Sequence, residues 1–273
     1  MRLEGKRILI TGAGSGIGRA LAIEASRRGA VMCLCGRRED ALVETMSLLA
    51  PGAIYQIVPA DITCDADVDA LVSRLRQSWG TLDILVNNAG QIAAGRLDKA
   101  PSRTVVDLFS TNVIAPILLT QRCLPLLRQA SKPRIVNIGS MLGEIPLPDF
   151  AAYSASKAAI KGFSMALRRE LAHEGVAVTY AAPRATDTQG AASVADKITG
   201  SKLDDPARVA TRLWNGVEAG RDSLYPGPME RLFMMIQAFA PKLIDRATAA
   251  SPASVRTFAH PAQSSGTISN AQD

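Results

Sequence analysis

The sequence has few side chains that could hold a metal ion or a disulfide framework. Its 273 residues include four cysteines, which form no Cys-x-x-Cys pair, and two histidines, His173 and His260. We therefore expect no metal site and no disulfide-stapled secreted domain. Cys33 and Cys35 lie on one face of a predicted buried strand, where a thiol packs as a small apolar group. Unpaired cysteines of this kind favour a reducing, cytoplasmic location.

Long apolar runs and concentrated positive charge are also missing. No apolar run reaches the length of about 18 residues that a membrane-spanning helix needs, so we expect none. The first residues lead directly into a strand pattern, without the apolar segment of a signal peptide. The net charge of +6 comes from scattered Lys and Arg residues, without a basic run interleaved with aromatics. Nucleic acid is therefore not an expected partner.

The sequence does contain a regular alternation of short apolar runs and longer helical patterns. The predicted strands are Arg7–Thr11, Val31–Cys35, Ile54–Ala60, Ile84–Asn87, Arg134–Gly139 and Val176–Ala181, and the predicted helices are Gly18–Arg28, Glu39–Leu49, Asp65–Gln77, Ser102–Gln129 (with kinks or breaks at Pro116 and Pro125) and Tyr153–His173. Such strands are typical of a parallel sheet covered on both faces. We predict an α/β, single-domain, doubly wound fold with about seven strands over residues 1–246. A Ser-, Ala- and Pro-rich tail over 247–273 is predicted to be disordered.

A glycine-rich loop joins the first predicted strand to the first predicted helix. It reads Thr11-Gly-Ala-Gly-Ser-Gly-Ile-Gly18. Glycines let a backbone turn tightly and approach a pyrophosphate at the positive end of the helix. The loop is not a phosphate-binding Walker loop, because no Lys-Ser/Thr pair follows it. Its glycine spacing, Gly12-x-x-x-Gly16-x-Gly18, also differs from G-x-G-x-x-G.

Four further motifs accompany this loop in a fixed order. Asn87-Asn-Ala-Gly90 follows the fourth strand, Asn112 lies in the next helix, and Tyr153-x-x-x-Lys157 comes 13 residues after Ser140. Together they resemble the short-chain dehydrogenase/reductase family, over roughly residues 4–190. The resemblance implies a Rossmann fold, a nicotinamide dinucleotide cofactor and hydride transfer between a carbonyl group and an alcohol.

Tyr153 and Lys157 are four residues apart, on one face of a predicted helix. A nearby ammonium group stabilises a phenolate, so the pair can act as a general acid and base for a carbonyl. Ser140 can donate a hydrogen bond to the same substrate oxygen. The resemblance further implies that Lys157 holds the nicotinamide ribose and that Asn112 maintains a water-linked proton path. Each side chain read alone could equally be a surface or capping residue.

The resemblance and the loop chemistry predict a cofactor site of many residues. They are Gly12, Ser15, Gly16, Ile17, Gly18, Arg37, Arg38, Asp61, Ile62, Asn88, Ala89, Gly90, Tyr153, Lys157, Pro183 and Thr188. The second strand ends at Gly36, where enzymes that use NAD carry an acid. Arg37 and Arg38 follow, and a guanidinium can bind a 2′-phosphate, so we expect NADP(H) rather than NAD(H). Alternatively, both arginines face solvent, and Asp61 caps the helix Asp65–Gln77.

The substrate side is less defined by the sequence. The predicted contacts are Ser140, Met141, Leu142, Gln91 and Arg184, with Ile145 and Leu147 as further apolar lining. Arg184 stands where the family commonly has glycine. It would either attract an anionic substrate group or point outward and only restrict the backbone. Residues 229–246 form an amphipathic helix pattern, expected to cover the pocket or contact a second subunit rather than a membrane surface.

The leading functional hypothesis is an NADPH-dependent carbonyl reductase, or the reverse alcohol oxidation. The alternatives are a 3-oxoacyl reductase acting on carrier-bound or lipid chains and a noncatalytic NADP-binding scaffold. Ser140, Tyr153 and Lys157 are all present, which argues against the scaffold. By the resemblance, Ser102–Gln129 and Tyr153–His173 would pair with a second subunit, so a homodimer or homotetramer is expected.

Overall fold

Alternating strands and helices make up the computed structural model, which describes residues 1–192, 194 and 203–249. The strands are β1 Arg7–Thr11, β2 Val31–Gly36, β3 Ile54–Pro59, β4 Ile84–Asn87, β5 Arg134–Ile138, β6 Ala177–Ala181 and β7 Ser223–Leu224. The helices are α1 Gly16–Arg27, α2 Glu39–Ser47, α3 Asp65–Trp79, α4 Ser102–Phe109, α5 Ala115–Leu127, α6 Ala151–Glu170, α7 Gln189–Ala192, α8 Pro206–Glu218, α9 Pro228–Phe239 and α10 Pro241–Ala249. Shorter 3₁₀ turns are Leu97–Lys99, Met141–Gly143 and Leu171–Glu174.

The seven strands form one parallel sheet in the order β3-β2-β1-β4-β5-β6-β7. Neighbouring residues of β1 point to opposite faces, because side chains alternate along a strand. Leu9 packs toward α3 and α5, whereas Ile8 and Ile10 pack toward α1 and α8. Both faces are therefore buried, which explains why the strands are apolar throughout. The predicted single-domain, doubly wound α/β fold is confirmed.

Two predicted helices differ from the observed ones because of proline. The observed helical stretch runs from Ser102 to Leu127, and within it Ser110–Ile114 forms a wider π turn that ends two residues before Pro116. Ala115 donates to the Ser110 carbonyl, five residues back, since Pro116 has no N–H with which to continue the regular ladder. α5 runs through Pro125 without the predicted break. The single helix predicted for 229–246 is instead two helices, which meet at Ala240 and Pro241.

In the described part of the chain, one helical stretch is long and apolar enough to cross a membrane. It is Ser102–Leu127, with a mean hydropathy of 1.3 over an 18-residue window. The length of the apolar runs in the sequence did not predict this stretch. Leu119, Cys123 and Leu127 within it are fully buried against the sheet. These contacts pack one side of the stretch against the sheet. The predicted tail over 247–273 lies outside the described residues from position 250 onward.

The strand order places a crevice at the carboxyl ends of the strands. The connection after β1 leads to β2 on one side of β1, and the connection after β3 leads to β4 on its other side. The helices on the two faces of the sheet therefore diverge at the carboxyl end of β1. Ligands of doubly wound proteins bind at this switch point. The glycine-rich loop after β1 and the Asn-Asn-Ala-Gly segment after β4 meet at this place.

Candidate active site

A cavity of about 1780 Å³ opens at the carboxyl ends of the strands. This volume exceeds the range of roughly 300–1,000 Å³ that is usual for one small ligand, so it has room for a dinucleotide and a substrate together. Twenty of the predicted site residues line it: Gly12, Ser15, Gly16, Ile17, Arg37, Arg38, Asp61, Ile62, Asn88, Ala89, Gly90, Gln91, Ser140, Met141, Leu142, Tyr153, Lys157, Pro183, Arg184 and Thr188. Gly18 and Asn112 do not line the cavity and lie behind its wall.

The glycine-rich loop forms one end of the cavity with bare backbone. Gly12 and Gly16 have φ of 66° and 53°, a left-handed conformation that residues with a side chain rarely adopt. A Cβ on Gly12 would lie 2.8 Å from the Ala89 Cα, and one on Gly16 would lie 2.9 Å from the Thr188 Cγ2. Ser15 makes no side-chain capping bond to α1. The loop and the helix N-terminus are thus a cradle that suits a phosphate group.

Asn88 and Gly18 hold this cradle from behind. The Asn88 Nδ2 donates to the Thr11 carbonyl at 2.8 Å, and its backbone N–H donates to the Thr11 hydroxyl at 3.0 Å. A Cβ on Gly18 would collide with the Gly12 carbonyl and the Asn88 amide. Gly18 is therefore required for packing, and its contact with the cofactor stays a prediction. The four-residue motif after β4 ties the glycine-rich loop to the centre of the sheet.

Ser140, Tyr153 and Lys157 converge at the other side of the same cavity, and we refer to them as the serine–tyrosine–lysine cluster. Ser140 follows β5, whereas Tyr153 and Lys157 lie one turn apart on α6. The Lys157 Nζ donates to the Ile138 carbonyl at 3.0 Å and lies 5.9 Å from the centroid of the Tyr153 ring. The Ser140 Oγ accepts from the Leu142 N–H at 3.1 Å. A hydroxyl, a phenol and an ammonium group therefore face one space.

Burial decides the protonation of this cluster. It raises the pKa of Tyr153 to about 12, although the hydrogen bond with Ser140 acts in the opposite direction. It also lowers the pKa of Lys157 to about 8. The sequence led us to expect that the ammonium would lower the pKa of the phenol. That expectation is wrong for the protein groups alone, because desolvation disfavours the charged form of both residues.

Asn112 sits on the π turn and connects three elements behind the cavity wall. Its Oδ1 accepts from the Gln91 N–H at 2.7 Å, and its Nδ2 donates to the Gln91 carbonyl at 2.9 Å and to the Ser156 hydroxyl at 3.1 Å. A Cβ on Gly90 would lie 3.1 Å from the Asn112 Oδ1 and 3.4 Å from the Lys157 Nζ. The bare backbone at Gly90 thus lets Asn112 and Lys157 approach the same point.

Comparison with known proteins identifies the family to which this chain belongs. The sequence profile of the short chain dehydrogenase family matches residues 6–199. The chain belongs to the short-chain dehydrogenase family. It is 33% identical over 208 residues to an uncharacterised oxidoreductase of Staphylococcus aureus strain N315, which covers 76% of this chain and 89% of that protein.

Two solved short-chain dehydrogenases share its fold. One is from Burkholderia phymatum in complex with NAD, with a TM-score of 0.82 and 26% identity over 89% of this chain and 96% of that one. Another is from Sphingobium yanoikuyae in complex with NADPH, with a TM-score of 0.77 and 28% identity over 88% and 95% of the two chains. Since one neighbour holds NAD and the other NADPH, the likeness does not choose between the two cofactors.

Two arginines stand at the end of β2, where dehydrogenases choose between these cofactors. Arg37 and Arg38 are exposed and line the cavity. No carboxylate in the described part of the chain lies within 4.0 Å of either guanidinium. The neighbouring Arg19, by contrast, pairs with Glu44 at 2.6 Å and donates to the Gly14 carbonyl. Arg19 is a brace for the glycine-rich loop that the sequence did not reveal.

Asp61 lies in the cavity wall and does not cap α3. Its Oδ1 accepts from the backbone N–H and the hydroxyl of Thr63, at 2.9 and 2.7 Å. α3 begins after Cys64, which makes no side-chain capping bond. The alternative interpretation of Asp61 as the helix cap is therefore wrong. A short turn instead holds its carboxylate at the cavity.

The segment after β6 departs from the usual short-chain dehydrogenase pattern at Arg184. Its guanidinium donates two bonds to Asp204, at 2.6 and 3.2 Å, and one to Glu230 of α9, at 2.9 Å. Neither predicted role is observed, because two carboxylates offset its charge and its side chain joins two segments. Thr188 accepts from the Ala191 N–H and packs over Gly16.

The substrate side of the cavity is mainly apolar. Its described lining includes Ile92, Met141, Leu142, Leu147 and Phe150, whereas Ile145 does not reach it. Arg208 and Arg212 of α8 also line the cavity, and Glu144 supports the turn after Ser140 through an ion pair with Lys161 at 2.6 Å. Sequence reasoning missed these last residues, since no short motif contains them and only folding brings them to the site.

Proposed function

We propose that this short-chain dehydrogenase is an NADP(H)-dependent enzyme that interconverts an apolar carbonyl compound and its secondary alcohol. One observation carries the proposal: one cavity joins a glycine cradle suited to a dinucleotide with the serine–tyrosine–lysine cluster. A carbonyl group bound between the two would meet a hydrogen-bond donor, a proton donor and the cofactor side at once. The apolar wall around Met141, Leu142 and Phe150 suits a hydrocarbon substituent.

The residues at hand fit a nicotinamide dinucleotide. The backbone at Gly12 and Gly16 leaves no space for side chains, and the uncapped end of α1 would receive the pyrophosphate. Asp61 and Ile62 would contact the adenine, and Thr188 and Lys157 the nicotinamide half. When bound, the reduced cofactor supplies a hydride to the carbonyl carbon.

The protein would supply the proton, and also the hydrogen bond and the positive charge near the reacting oxygen. At neutral pH the Tyr153 phenol is protonated, because its pKa is near 12. It can therefore donate its proton to the oxygen of the substrate as negative charge develops there. Ser140 would donate a hydrogen bond to the same oxygen. The positive charge of Lys157 would stabilise the phenolate that remains, and Asn112 would support the path by which the proton is replaced.

The preference for NADP(H) rests on Arg37 and Arg38. Both guanidinium groups are exposed at the cavity, and neither pairs with a described carboxylate within 4.0 Å. Gly36, where an acid would bind a ribose hydroxyl, offers no competing charge. A 2′-phosphate would give these cations a partner.

A 3-oxoacyl substrate is the second candidate. Arg208 and Arg212 are exposed cations that line the cavity, and they would suit the phosphate of a carrier-bound chain. A noncatalytic NADP-binding role is disfavoured, since it would leave the convergence of Ser140, Tyr153 and Lys157 without a purpose.

Assembly and location are further proposals. Val106 and Ile114 are more than half exposed on the outer side of the α4–α5 region, which favours a homodimer or homotetramer formed through these helices. Light scattering at micromolar concentration tests this, and a monomer would contradict it. The unpaired thiols of Cys33, Cys35, Cys64 and Cys123 favour the cytoplasm.

The deciding experiment is a panel of carbonyl compounds incubated with NADPH or with NADH, followed by the absorbance of the reduced nicotinamide. It should contain aliphatic ketones, aromatic aldehydes and 3-oxoacyl thioesters. We expect oxidation of NADPH with an apolar ketone or a thioester, and weaker activity with NADH. Equal activity with both cofactors would refute the NADP preference, and a protein that binds NADPH but reduces no compound would favour the scaffold.

A further inference from the structure

The two C-terminal helices α9 and α10 expose an apolar surface that the cavity does not use. None of the residues described for either helix lines the cavity. The surface consists of Met229, Leu232, Phe233, Met235, Phe239 and Leu243, all exposed, and we call it the C-terminal apolar face. Phe239 is 85% exposed, which is unusual for so large an apolar side chain.

α9 covers the protein with only part of its surface. Glu230, Met234, Ile236 and Gln237 are its half-buried residues, and the other residues of the helix are exposed. Glu230 is only 14% exposed, because its carboxylate accepts from Arg184 at 2.9 Å. The helices of a water-soluble domain normally turn their apolar side toward the core. In α9 most of the apolar side chains are exposed instead, so they need a cover from outside the described part of the chain.

Positive charge accompanies this surface. Arg231, Lys242 and Arg246 are exposed on the same two helices, and none has a carboxylate partner within 4.0 Å in the described ranges. The exposed acid among them is Asp245, since Glu230 is turned inward and paired. An apolar stripe with flanking cations complements an anionic lipid surface. In a two-fold contact between copies of this chain, both sides would carry the same excess of positive charge, which opposes their association.

We propose that the C-terminal apolar face binds the surface of a bilayer that contains anionic phospholipids. Met229, Leu232, Phe233 and Phe239 enter the boundary of headgroups and acyl chains, while Arg231, Lys242 and Arg246 contact the headgroup phosphates. The ion pair of Arg184 with Glu230 anchors α9 beside the cavity, because Arg184 also lines the cavity. One wall of the cavity therefore lies next to the helix that carries the membrane contact. This inference is independent of the proposed reaction.

The test is cosedimentation of the full-length protein with vesicles of pure phosphatidylcholine or of phosphatidylcholine mixed with phosphatidylglycerol. We expect binding to the mixed vesicles, at least about 10-fold weaker binding to the neutral ones, and a loss of binding at high salt. Leu232→Ser/Phe239→Ser should weaken binding about 10-fold or more. The matched control is Ile54→Ser/Leu97→Ser, which removes two apolar side chains that are 64% and 62% exposed elsewhere.

The charge is tested separately. Lys242→Glu/Arg246→Glu should weaken binding to the mixed vesicles about 10-fold, whereas Arg76→Glu/Lys132→Glu, with the same change of net charge elsewhere, should change it less than about twofold. The proposal is overturned if the wild type does not bind the mixed vesicles or if Leu232→Ser/Phe239→Ser binds as well as wild type. A halving of the molecular mass of that variant in light scattering would also overturn it, because a second copy would then cover the face.

Discussion

The serine–tyrosine–lysine cluster and the arginines at the cavity rim differ in how the protein holds them. Ser140 and Lys157 are buried, and Lys157 is bonded to the end of β5. Arg37 and Arg184 line the same cavity but remain exposed, Arg37 without a described carboxylate partner and Arg184 between two carboxylates. Burial shifts the pKa values of Tyr153 and Lys157, and the surrounding packing restricts their side chains to few conformations. The exposed cations take a defined side-chain conformation only when they contact a group of opposite charge.

This contrast predicts how strongly each region responds to mutation. Groups in the serine–tyrosine–lysine cluster act together in one space, so the loss of one should abolish most of the activity. The rim cations act one by one in water, where a single charged contact contributes less. Four substitutions test this ranking, and a large loss of turnover at the rim or a small one in the cluster would break it.

The largest expected effect is at the phenol. Tyr153→Phe removes the proton donor but keeps the ring, so turnover should fall at least ~100-fold while the fold and cofactor binding persist. Initial rates with the best carbonyl compound and NADPH titrations of both proteins measure this. Tyr55→Phe, which removes a phenol hydroxyl outside the cavity, is the control. Near-normal turnover of Tyr153→Phe would refute its role as the proton donor.

The second effect concerns stability and its pH dependence. The pKa of Lys157 is lowered to about 8 in the folded protein, against 10.5 for an ordinary lysine. Below pH 8 the buried ammonium is charged, which costs roughly 3 kcal/mol of folding free energy. Lys157→Met should therefore be inactive but more stable at pH 7, by less than this amount because the bond to the Ile138 carbonyl is lost.

The sign of the pH dependence follows from the two protonation states. Between pH 8 and 10.5 the unfolded wild type holds more protons at this lysine than the folded one, so wild-type stability rises with pH. The advantage of Lys157→Met should shrink over this range, as thermal unfolding at several pH values would show. Lys99→Met, at an exposed lysine, should give no such trend. If the difference in stability between Lys157→Met and wild type stays constant with pH, the burial of the charged Lys157 does not cost folding free energy.

The third expected effect is a change in the preference for NADPH over NADH. Arg37→Ala should weaken NADPH binding by about 10- to 150-fold, the equivalent of roughly 1.5–3 kcal/mol for a charged hydrogen bond, and leave NADH nearly unchanged. A Cβ at Gly36 would meet nothing nearer than Leu42 Cδ2 at 3.4 Å, so Gly36→Asp has room and should repel the 2′-phosphate. Gly36→Asp/Arg37→Ala should reverse the preference.

Calorimetric titration of both cofactors checks this prediction, with Arg76→Ala as a control for the loss of an exposed arginine outside the cavity. High salt should weaken NADPH binding more than NADH binding in the wild type. Equal losses for both cofactors in Arg37→Ala would make Arg37 a solvated surface residue.

The smallest effect is expected at Arg184. Arg184→Gln breaks the ion pairs with Asp204 and Glu230, but at a half-exposed side chain these should contribute only about 1 kcal/mol to stability. Urea unfolding measures the loss, and Arg128→Gln, at a similarly exposed pair with Glu174, is the matched control. If Arg184→Gln is destabilised by several times more than the control, the rim is not the weakly coupled region described above.

Sequence reasoning predicted most of the fold, because apolar runs and helical periods report directly on what is buried. Strands β1 and β4 have the predicted bounds. β7 escaped prediction because it has two residues, Ser223 and Leu224, and exists only through its bonds to β6. The two-helix form of residues 228–249 depends on Pro241, which the apolar pattern on either side obscured.

The sequence by itself determined the residues that a short spacing brings together. Thr11–Gly18 is one turn between a strand and a helix, and Tyr153 and Lys157 share a helix face, so local geometry alone makes these groups neighbours. Tertiary structure decided what depends on burial and on distant segments. Only folding desolvates Tyr153 and Lys157, which reverses the pKa shift expected for the phenol. Only folding brings Arg184 to Asp204 and Glu230, because those carboxylates lie 20 and 46 residues further along the chain.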